Sequence, residues 1–275
     1  MPAAADIRDM FARVARRYDF ANLLLSGGFS KHWTARLADS AAKSAAGSGS
    51  PALSTTSAVP PVHHGRCATT GAAEAAGATA AGAPLSVADL ATGSGDVAFA
   101  LAERLAATGS AGARITGLDF CEPMLAIARE RAQSISHPTL PVPHFALGDC
   151  LDLPLPDASQ DIVTIAYGVR NFQDRARGLR EIFRVLKPGG SAHILEFSQP
   201  RRWLRPFYYF YLRALLPLIA RAATGDKSAY QYLGASISAF PDAPAFAAEL
   251  RAAGFATATF TRPTLGIVAI HKAVK

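Results

Sequence analysis

The residues best suited to chemistry begin with Ala88-Asp89-Leu90-Ala91-Thr92-Gly93-Ser94-Gly95-Asp96, a glycine-bearing loop between an apolar run and a helical pattern. Glycines let a backbone turn sharply and bring a ligand against bare N–H groups, while the helix that follows offers its positive end. Gly93-x-Gly95-x-x-Ala98 fits a relaxed dinucleotide fingerprint, although a purely structural turn has the same composition. Asp119 lies 24 residues beyond Gly95, at the end of the second apolar run, where a carboxylate can accept both ribose hydroxyls of an adenosine. Asp149 closes the third run, placed to meet an adenine amino group, with the Cys150 amide beside it. These residues predict a nucleoside site. The glycines alone do not distinguish NAD from S-adenosylmethionine.

The elements that must position them follow from periodicity. Residues 6–43 read as helical, with Phe11, Val14, Ala15 and Tyr18 on one face. Predicted strands are 87–91, 114–119, 144–147, 161–166 and 191–197. They alternate with helices over 96–106, from Pro123 onward, and over 175–186, the last stopped by Lys187-Pro188-Gly189-Gly190. This alternation calls for a parallel sheet covered on both faces. A helix opened by Pro241-Asp242 and closed by Gly254 precedes two runs, 256–262 and 265–271, expected to form an antiparallel hairpin with a tight Pro-Thr turn. A simple dinucleotide fold lacks such a hairpin. His193 sits within the fifth strand and reads as a packed core residue rather than a base.

Composition narrows the classes. In 44–84, 33 of 41 residues are Ala, Gly, Ser, Thr or Pro, which marks a low-complexity surface insert; the rest suffices for one large α/β domain. The expected organisation is an N-terminal helical cap (1–43), the insert (44–84), a cofactor-binding core (85–200), a basic aromatic cap (201–240) and a C-terminal helix and hairpin (241–275). Three scattered cysteines and histidines without ligand spacing argue against a disulfide scaffold and against a metal site. No secretory signal is read at the N-terminus, and Asp6, Asp9 and Asp19 speak against a mitochondrial presequence, so a cytoplasmic location is expected. The most apolar window, 203–223, carries Arg205, Arg213 and Arg221 and does not suit a membrane-spanning helix.

Leu186-Lys187-Pro188-Gly189-Gly190 and the terminal hairpin resemble class I methyltransferases. Closer resemblance lies in Phe11-Ala12-Arg13-Val14-Ala15-Arg16-Arg17-Tyr18-Asp19, Asn22, Leu25-Ser26-Gly27-Gly28 and Trp33. These are similar to the N-terminal signature of the UbiE/MenG quinone C-methyltransferases. Asp161-Ile162-Val163-Thr164-Ile165-Ala166-Tyr167-Gly168-Val169-Arg170-Asn171 resembles that family's second signature, and Leu195-Glu196-Phe197-Ser198 and Tyr230-Gln231-Tyr232-Leu233 continue in register. The resemblance covers nearly the whole chain outside the insert. It implies an α/β class I S-adenosylmethionine-dependent methyltransferase fold, Rossmann-like, with a mostly parallel seven-stranded sheet and a C-terminal antiparallel hairpin. It also implies S-adenosyl-L-methionine as cofactor, held by Gly93, Ser94, Gly95, Asp119, Asp149 and Cys150. The loop departs slightly from the family, with Thr92 and Ser94 where Gly and Thr are frequent; Ser94 keeps the hydroxyl.

The implied reaction is methylation of a ring carbon of a prenylated quinol, demethylmenaquinol in menaquinone synthesis or the benzoquinol precursor in ubiquinone synthesis. An NAD-dependent oxidoreductase and a non-catalytic methyltransferase-like partner protein are the competing readings. A quinol becomes nucleophilic at carbon once a ring hydroxyl loses its proton, and phenols resist that near neutral pH. The resemblance gives the arginine a part in deprotonation. Arginine stays charged and accepts protons poorly, so Arg170 is expected to stabilise the quinolate, with Asn171 orienting the ring oxygen. The plain alternative is that Arg170 pairs with a carboxylate and braces its loop. Tyr18 is expected to help cover the substrate, though it equally suits core packing. Residues 201–223 hold five arginines and no acidic residue, and six aromatics fall within 203–211. That mixture suits a lipid surface, with no nucleic-acid partner expected. Peripheral attachment to the inner face of the cytoplasmic membrane is the corresponding location, and the oligomeric state is left open, a homodimer included.

Overall fold

The computed structural model describes residue 26 and residues 28–47, 84–135, 139–215 and 227–275. Its apolar runs pair into one sheet of β1 (Ser86–Leu90), β2 (Arg114–Asp119), β3 (His144–Leu147), β4 (Gln160–Ala166), β5 (Leu186–Phe197), β6 (Thr257–Thr261) and β7 (Val268–Val274). The order is β3-β2-β1-β4-β5-β7-β6. The first five strands are parallel, and β7 runs antiparallel to both β5 and β6. The chain order reverses between β1 and β4, which opens a crevice beyond their C-terminal ends, the usual ligand position in such sheets.

Side chains alternate across the strands and so build two cores. On one face Val87, Ile115 and Ile162 meet α1 (Ser30–Gly47), α2 (Asp96–Ala107) and α3 (Glu122–Gln133) through Trp33, Leu37, Leu101, Leu105 and Leu125. On the other, Leu90, Val163, Ile165 and Ile194 meet α4 (Arg175–Val185) and α7 (Ala243–Ala252) through Leu179, Ile182, Phe246 and Leu250. Full burial of each such side chain contributes about 1.5–3 kcal/mol. Asp174 and Asp242 cap α4 and α7 by accepting the Arg177 and Ala245 N–H groups. Two further helices, α5 (Arg205–Phe210) and α6 (Lys227–Ala239), lie between β5 and α7 in the chain.

The expected fold is the observed one, with shifted boundaries. α1 continues to Gly47, so the first residues assigned to the low-complexity insert are helical; most of that insert, and everything before Ser26 including Tyr18, lies outside the described residues. The helix before β5 ends at Val185, because Leu186 already pairs with Gln160. Lys187-Pro188-Gly189-Gly190 is therefore a bulge inside β5 rather than a turn before it, and the regular ladder resumes at Ser191 opposite Ile162.

The hairpin turn is longer than the tight Pro-Thr turn expected, and its second strand starts at Val268. Residues 264–267 are used instead to anchor neighbours. Trp33 Nε1 donates to Thr264 Oγ1 at 2.8 Å, Arg201 N donates to Leu265 O at 3.1 Å, and Ser198 N donates to Ile267 O at 2.9 Å.

Candidate active site

Positive φ at Gly93 (57°) and Gly95 (89°) folds the loop after β1 back on itself before α2 begins at Asp96. A Cβ at Gly95 would fall 2.7 Å from a Phe99 ring carbon and 2.9 Å from one of Phe145, so only glycine fits there. Asp119, at the end of β2, fastens the loop. Its Oδ2 accepts the Gly93 N–H at 2.8 Å and its Oδ1 the Cys121 N–H at 2.9 Å. A carboxylate has about four acceptor sites, and with the Phe120 N–H also bonded one remains for a ribose hydroxyl. Burial pushes the Asp119 carboxyl upward, and the Gly93, Cys121 and Phe120 N–H groups oppose that shift.

A cavity of about 130 Å³ lies beyond these strand ends, lined by Gly93, Asp119, Cys121 and Met124 on one side and by Asp149, Cys150, Tyr167 and Asn171 on the other. A wider cleft of about 630 Å³ shares Ala91, Gly93, Ala166 and Tyr167 with it and runs on past Ser94 and Asp96 to Lys31 and Thr34 of α1. Asp149 is exposed and its Oδ1 accepts the Leu151 N–H at 2.9 Å, while burial raises the Cys150 thiol and makes it a packing group rather than a nucleophile. Of the residues expected to hold the nucleoside, Gly93, Ser94, Asp119, Asp149 and Cys150 border one of these two spaces, whereas Gly95 borders neither and serves the turn behind them.

Asp89, given no role by sequence, is the buried acid behind the loop. It accepts the Thr92 hydroxyl at 2.6 Å and the Thr164 hydroxyl at 2.7 Å, so Thr92, the departure from the common loop sequence, ties the loop to β1. Burial raises its carboxyl from 3.8 to about 7, against those two hydrogen bonds. Between these values the folded chain binds a proton that the unfolded chain releases, so this group's effect on stability becomes unfavourable as pH rises from 3.8 to about 7. At 1.36 kcal/mol per pH unit the loss approaches roughly 4 kcal/mol. Asp89→Asn is expected to flatten most of the fall in unfolding free energy between about pH 4 and pH 8, measured by urea titration; Asp119 shifts the same way and leaves a residue of slope. Identical slopes in parent and variant would contradict the assignment.

Past β4, a 3₁₀ turn over Val169–Asn171 carries the residues expected to handle the ring. Asn171 borders the cavity; its Oδ1 accepts the Tyr232 hydroxyl at 3.1 Å and its Nδ2 donates to Tyr167 O at 3.4 Å. Arg170 is not among the residues bordering either space. Its guanidinium is buried and pairs with Glu196 of β5 at 2.9 Å, and the same nitrogen donates to Tyr167 O. The bracing partner raised as the plain alternative is therefore present, and it is Glu196. Arg170 Nε is buried with no hydrogen-bond partner among the described residues, as are Ser198 Oγ and the Tyr208 hydroxyl. Tyr232, one residue of the Tyr230–Leu233 motif, meets Asn171 only in the fold. Its hydroxyl is shifted upward by burial, with Arg170 opposing, which places it in the same electrostatic environment. His193 is a core residue as expected, held between the Ser40 and Ser191 hydroxyls at 2.9 and 3.0 Å, and burial drops it to about 3.

An antiparallel β7 between β5 and β6 separates this sheet from a simple dinucleotide fold, and the GxGxxA spacing loses its weight for NAD. A solved methyltransferase from Thermotoga maritima, described as S-adenosylmethionine-dependent and a possible histamine N-methyltransferase, shares the fold. Its TM-score is 0.56 at 17% identity, covering 97% of this chain and 99% of that one. The demethylmenaquinone methyltransferase of Thermus thermophilus is 36% identical over 263 residues, 95% of this chain and 98% of that protein. The ubiquinone/menaquinone biosynthesis C-methyltransferase UbiE of Geotalea daltonii is 34% identical over 270 residues, 98% of this chain and 96% of that protein. A family model described as the ubiE/COQ5 methyltransferase family matches residues 72–275. With a glycine turn, its carboxylate clasp and a crevice beyond β1 and β4, the chain belongs to the ubiE/COQ5 methyltransferase family, and its methyl donor is S-adenosyl-L-methionine.

Proposed function

We propose that the chain methylates a ring carbon of a prenylated quinol, converting demethylmenaquinol to menaquinol. The observation that carries this is Asn171 on the cavity wall, its amide fixed by the Tyr232 hydroxyl and backed by the buried Arg170–Glu196 pair. An oriented amide on the wall of a ligand space suits the oxygen of a ring substrate. The 36% identical relative from Thermus thermophilus, named for demethylmenaquinone, supports the naphthoquinol ring.

When bound, S-adenosylmethionine supplies a methyl group already activated on a sulfonium centre. The chain's residues must align the ring and favour its ionised form. Asn171 orients one ring oxygen through its amide, with Tyr232 fixing the amide's sense. Arg170, buried behind the 3₁₀ turn that carries Asn171, favours the developing negative charge through its positive field rather than by direct contact. Loss of the hydroxyl proton to water places charge on the ortho carbon, which forms the new carbon–carbon bond as the methyl–sulfur bond breaks. Loss of that carbon's own proton restores the aromatic ring.

The basic aromatic segment brings the site to its lipid substrate. Trp203, Phe207 and Phe210 are 60%, 69% and 62% exposed, Arg201 and Arg202 are exposed between β5 and α5, and Leu265 joins them through the Arg201–Leu265 hydrogen bond. Three exposed aromatics beside cations suit an anionic bilayer surface. No helix among the described residues is long and apolar enough to cross a membrane. Replacing the three aromatics by serine is expected to weaken binding to anionic vesicles at least about tenfold in co-sedimentation, or 1.4 kcal/mol, with turnover on a short-tailed quinol unaffected. Equal partitioning of parent and variant would refute the surface.

The test of the function is turnover of a reduced short-tailed demethylmenaquinol with S-adenosylmethionine, followed by chromatography of the lipid extract. A methylated naphthoquinol is expected. Exclusive turnover of the corresponding benzoquinol would move the reaction to ubiquinone synthesis, and no turnover of either would end the proposal.

A further inference from the structure

Glu196 stands at the end of β5 with 1% of its surface exposed, and nothing in the implied reaction uses it. Its carboxylate nevertheless accepts three hydrogen bonds behind the cavity wall. Oε1 accepts Arg170 Nη1 at 2.9 Å and the Phe197 N–H at 2.8 Å, while Oε2 accepts the Arg170 backbone N–H at 3.2 Å. One side chain thus holds both the backbone and the guanidinium of the same residue. Arg170 Nη1 is also claimed by Tyr167 O, and the guanidinium lies 5.4 Å from the centre of the Phe197 ring. A planar fork fixed at Nη1 and flanked by an aromatic ring has little freedom to rotate, and its unpaired Nε is aimed in one direction.

A buried ion pair is weak support for stability, since apolar residues of similar volume often serve as well. Its presence directly behind Asn171, which lines the cavity, calls for another reason. We propose that Glu196 is a positioning residue for methyl transfer: by holding the backbone and guanidinium of Arg170 it sets the height of the Val169–Asn171 turn, and so the place of Asn171 on the cavity wall, and it tempers the arginine's charge behind that wall. This rests on the quinol reading given above. The residue touches neither donor nor ring and acts through Arg170 and Asn171.

Glu196→Gln keeps the shape, removes the charge and leaves the arginine uncompensated. Its kcat on the reduced demethylmenaquinol is expected to fall about a hundredfold, with the Kd for S-adenosylmethionine within about twofold of the parent. That loss equals about two decades, or 2.7 kcal/mol. With the carboxylate charge gone the cation favours the quinolate more strongly, so the acid limb of the kcat–pH profile should move down by about one unit. A role limited to folding would leave both kcat per folded molecule and that limb unchanged.

Should Glu196→Gln fail to fold, Glu196→Asp decides, because the charge stays while the shorter arm cannot span all three donors; about a tenfold loss in kcat is expected. A second readout needs no turnover. The Arg170 Nε–H resonance should be slow to exchange in the parent and shift on adding quinol, and should be lost from that state in the variant. Parent-like kcat, pH limb and resonance in the folded variant overturn the proposal. An inactive parent overturns the quinol reading instead, and the resonance then judges the positioning role alone.

Discussion

Asp119→Ala is expected to weaken S-adenosylmethionine binding at least a hundredfold in calorimetry. The carboxylate clasps the Gly93 and Cys121 N–H groups at 2.8 and 2.9 Å and keeps an acceptor site in reserve for the ribose. Hydrogen bonds to a charged group contribute about 1.5–3 kcal/mol each, and losing two leaves buried donors unpaired as well. The glycine loop would then lose its tie to β2 when the ligand most needs it rigid. Asp119→Asn should lose less, about tenfold, because the amide oxygen can still accept one N–H. An alanine variant with the parent's affinity would mean that the ribose is carried elsewhere.

Arg170→Lys is expected to lower kcat about a hundredfold with little change in the Kd of the methyl donor. Lysine preserves the charge opposite Glu196 but offers one nitrogen where arginine has a rigid fork. One ammonium could still serve Glu196 Oε1 and Tyr167 O, as Nη1 does now, but it cannot reproduce the planar fork packed against the Phe197 ring that fixes the turn behind Asn171. Arg170→Met is a poorer test, because it strands the Glu196 carboxylate in the interior, at a cost of about 3–5 kcal/mol. Activity of the lysine variant near the parent's would show that charge alone suffices and that the planar geometry is incidental.

The sheet was legible because its strands are short apolar runs separated by turn residues, and the alternation of strand and helix leaves few topologies open. The meeting of the glycine loop with Asp119 was legible for a similar reason: Gly93, Gly95 and Asp119 are local to strand ends, and strand ends converge in a parallel sheet. What sequence could not supply is pairing across distance. Glu196 lies 26 residues from Arg170 and reads as one polar residue in a greasy strand until β4 and β5 are laid side by side. Tyr232 stands 61 residues from Asn171 on a different element, and only the fold joins them.

Asp89 was within reach. An acidic residue inside a buried strand, three positions before a hydroxyl, is a signal of an internal hydrogen bond that could have been read directly. The Pro-Thr turn misled because Pro263 and Thr264 do mark a reversal, but Thr264, Leu265 and Ile267 are used to fasten Trp33, Arg201 and Ser198 before the next strand begins. Tertiary anchoring outweighed the local preference for a tight hairpin.

The most direct measurement of the central claim is the destination of the methyl carbon. The purified chain would be given S-adenosylmethionine labelled at the methyl group and a reduced demethylmenaquinol, and the extracted lipid examined by NMR. Label on a ring carbon, in an amount equal to the S-adenosylhomocysteine formed, is the predicted result. Label on a ring oxygen, or spent donor with none in the lipid, would contradict the account.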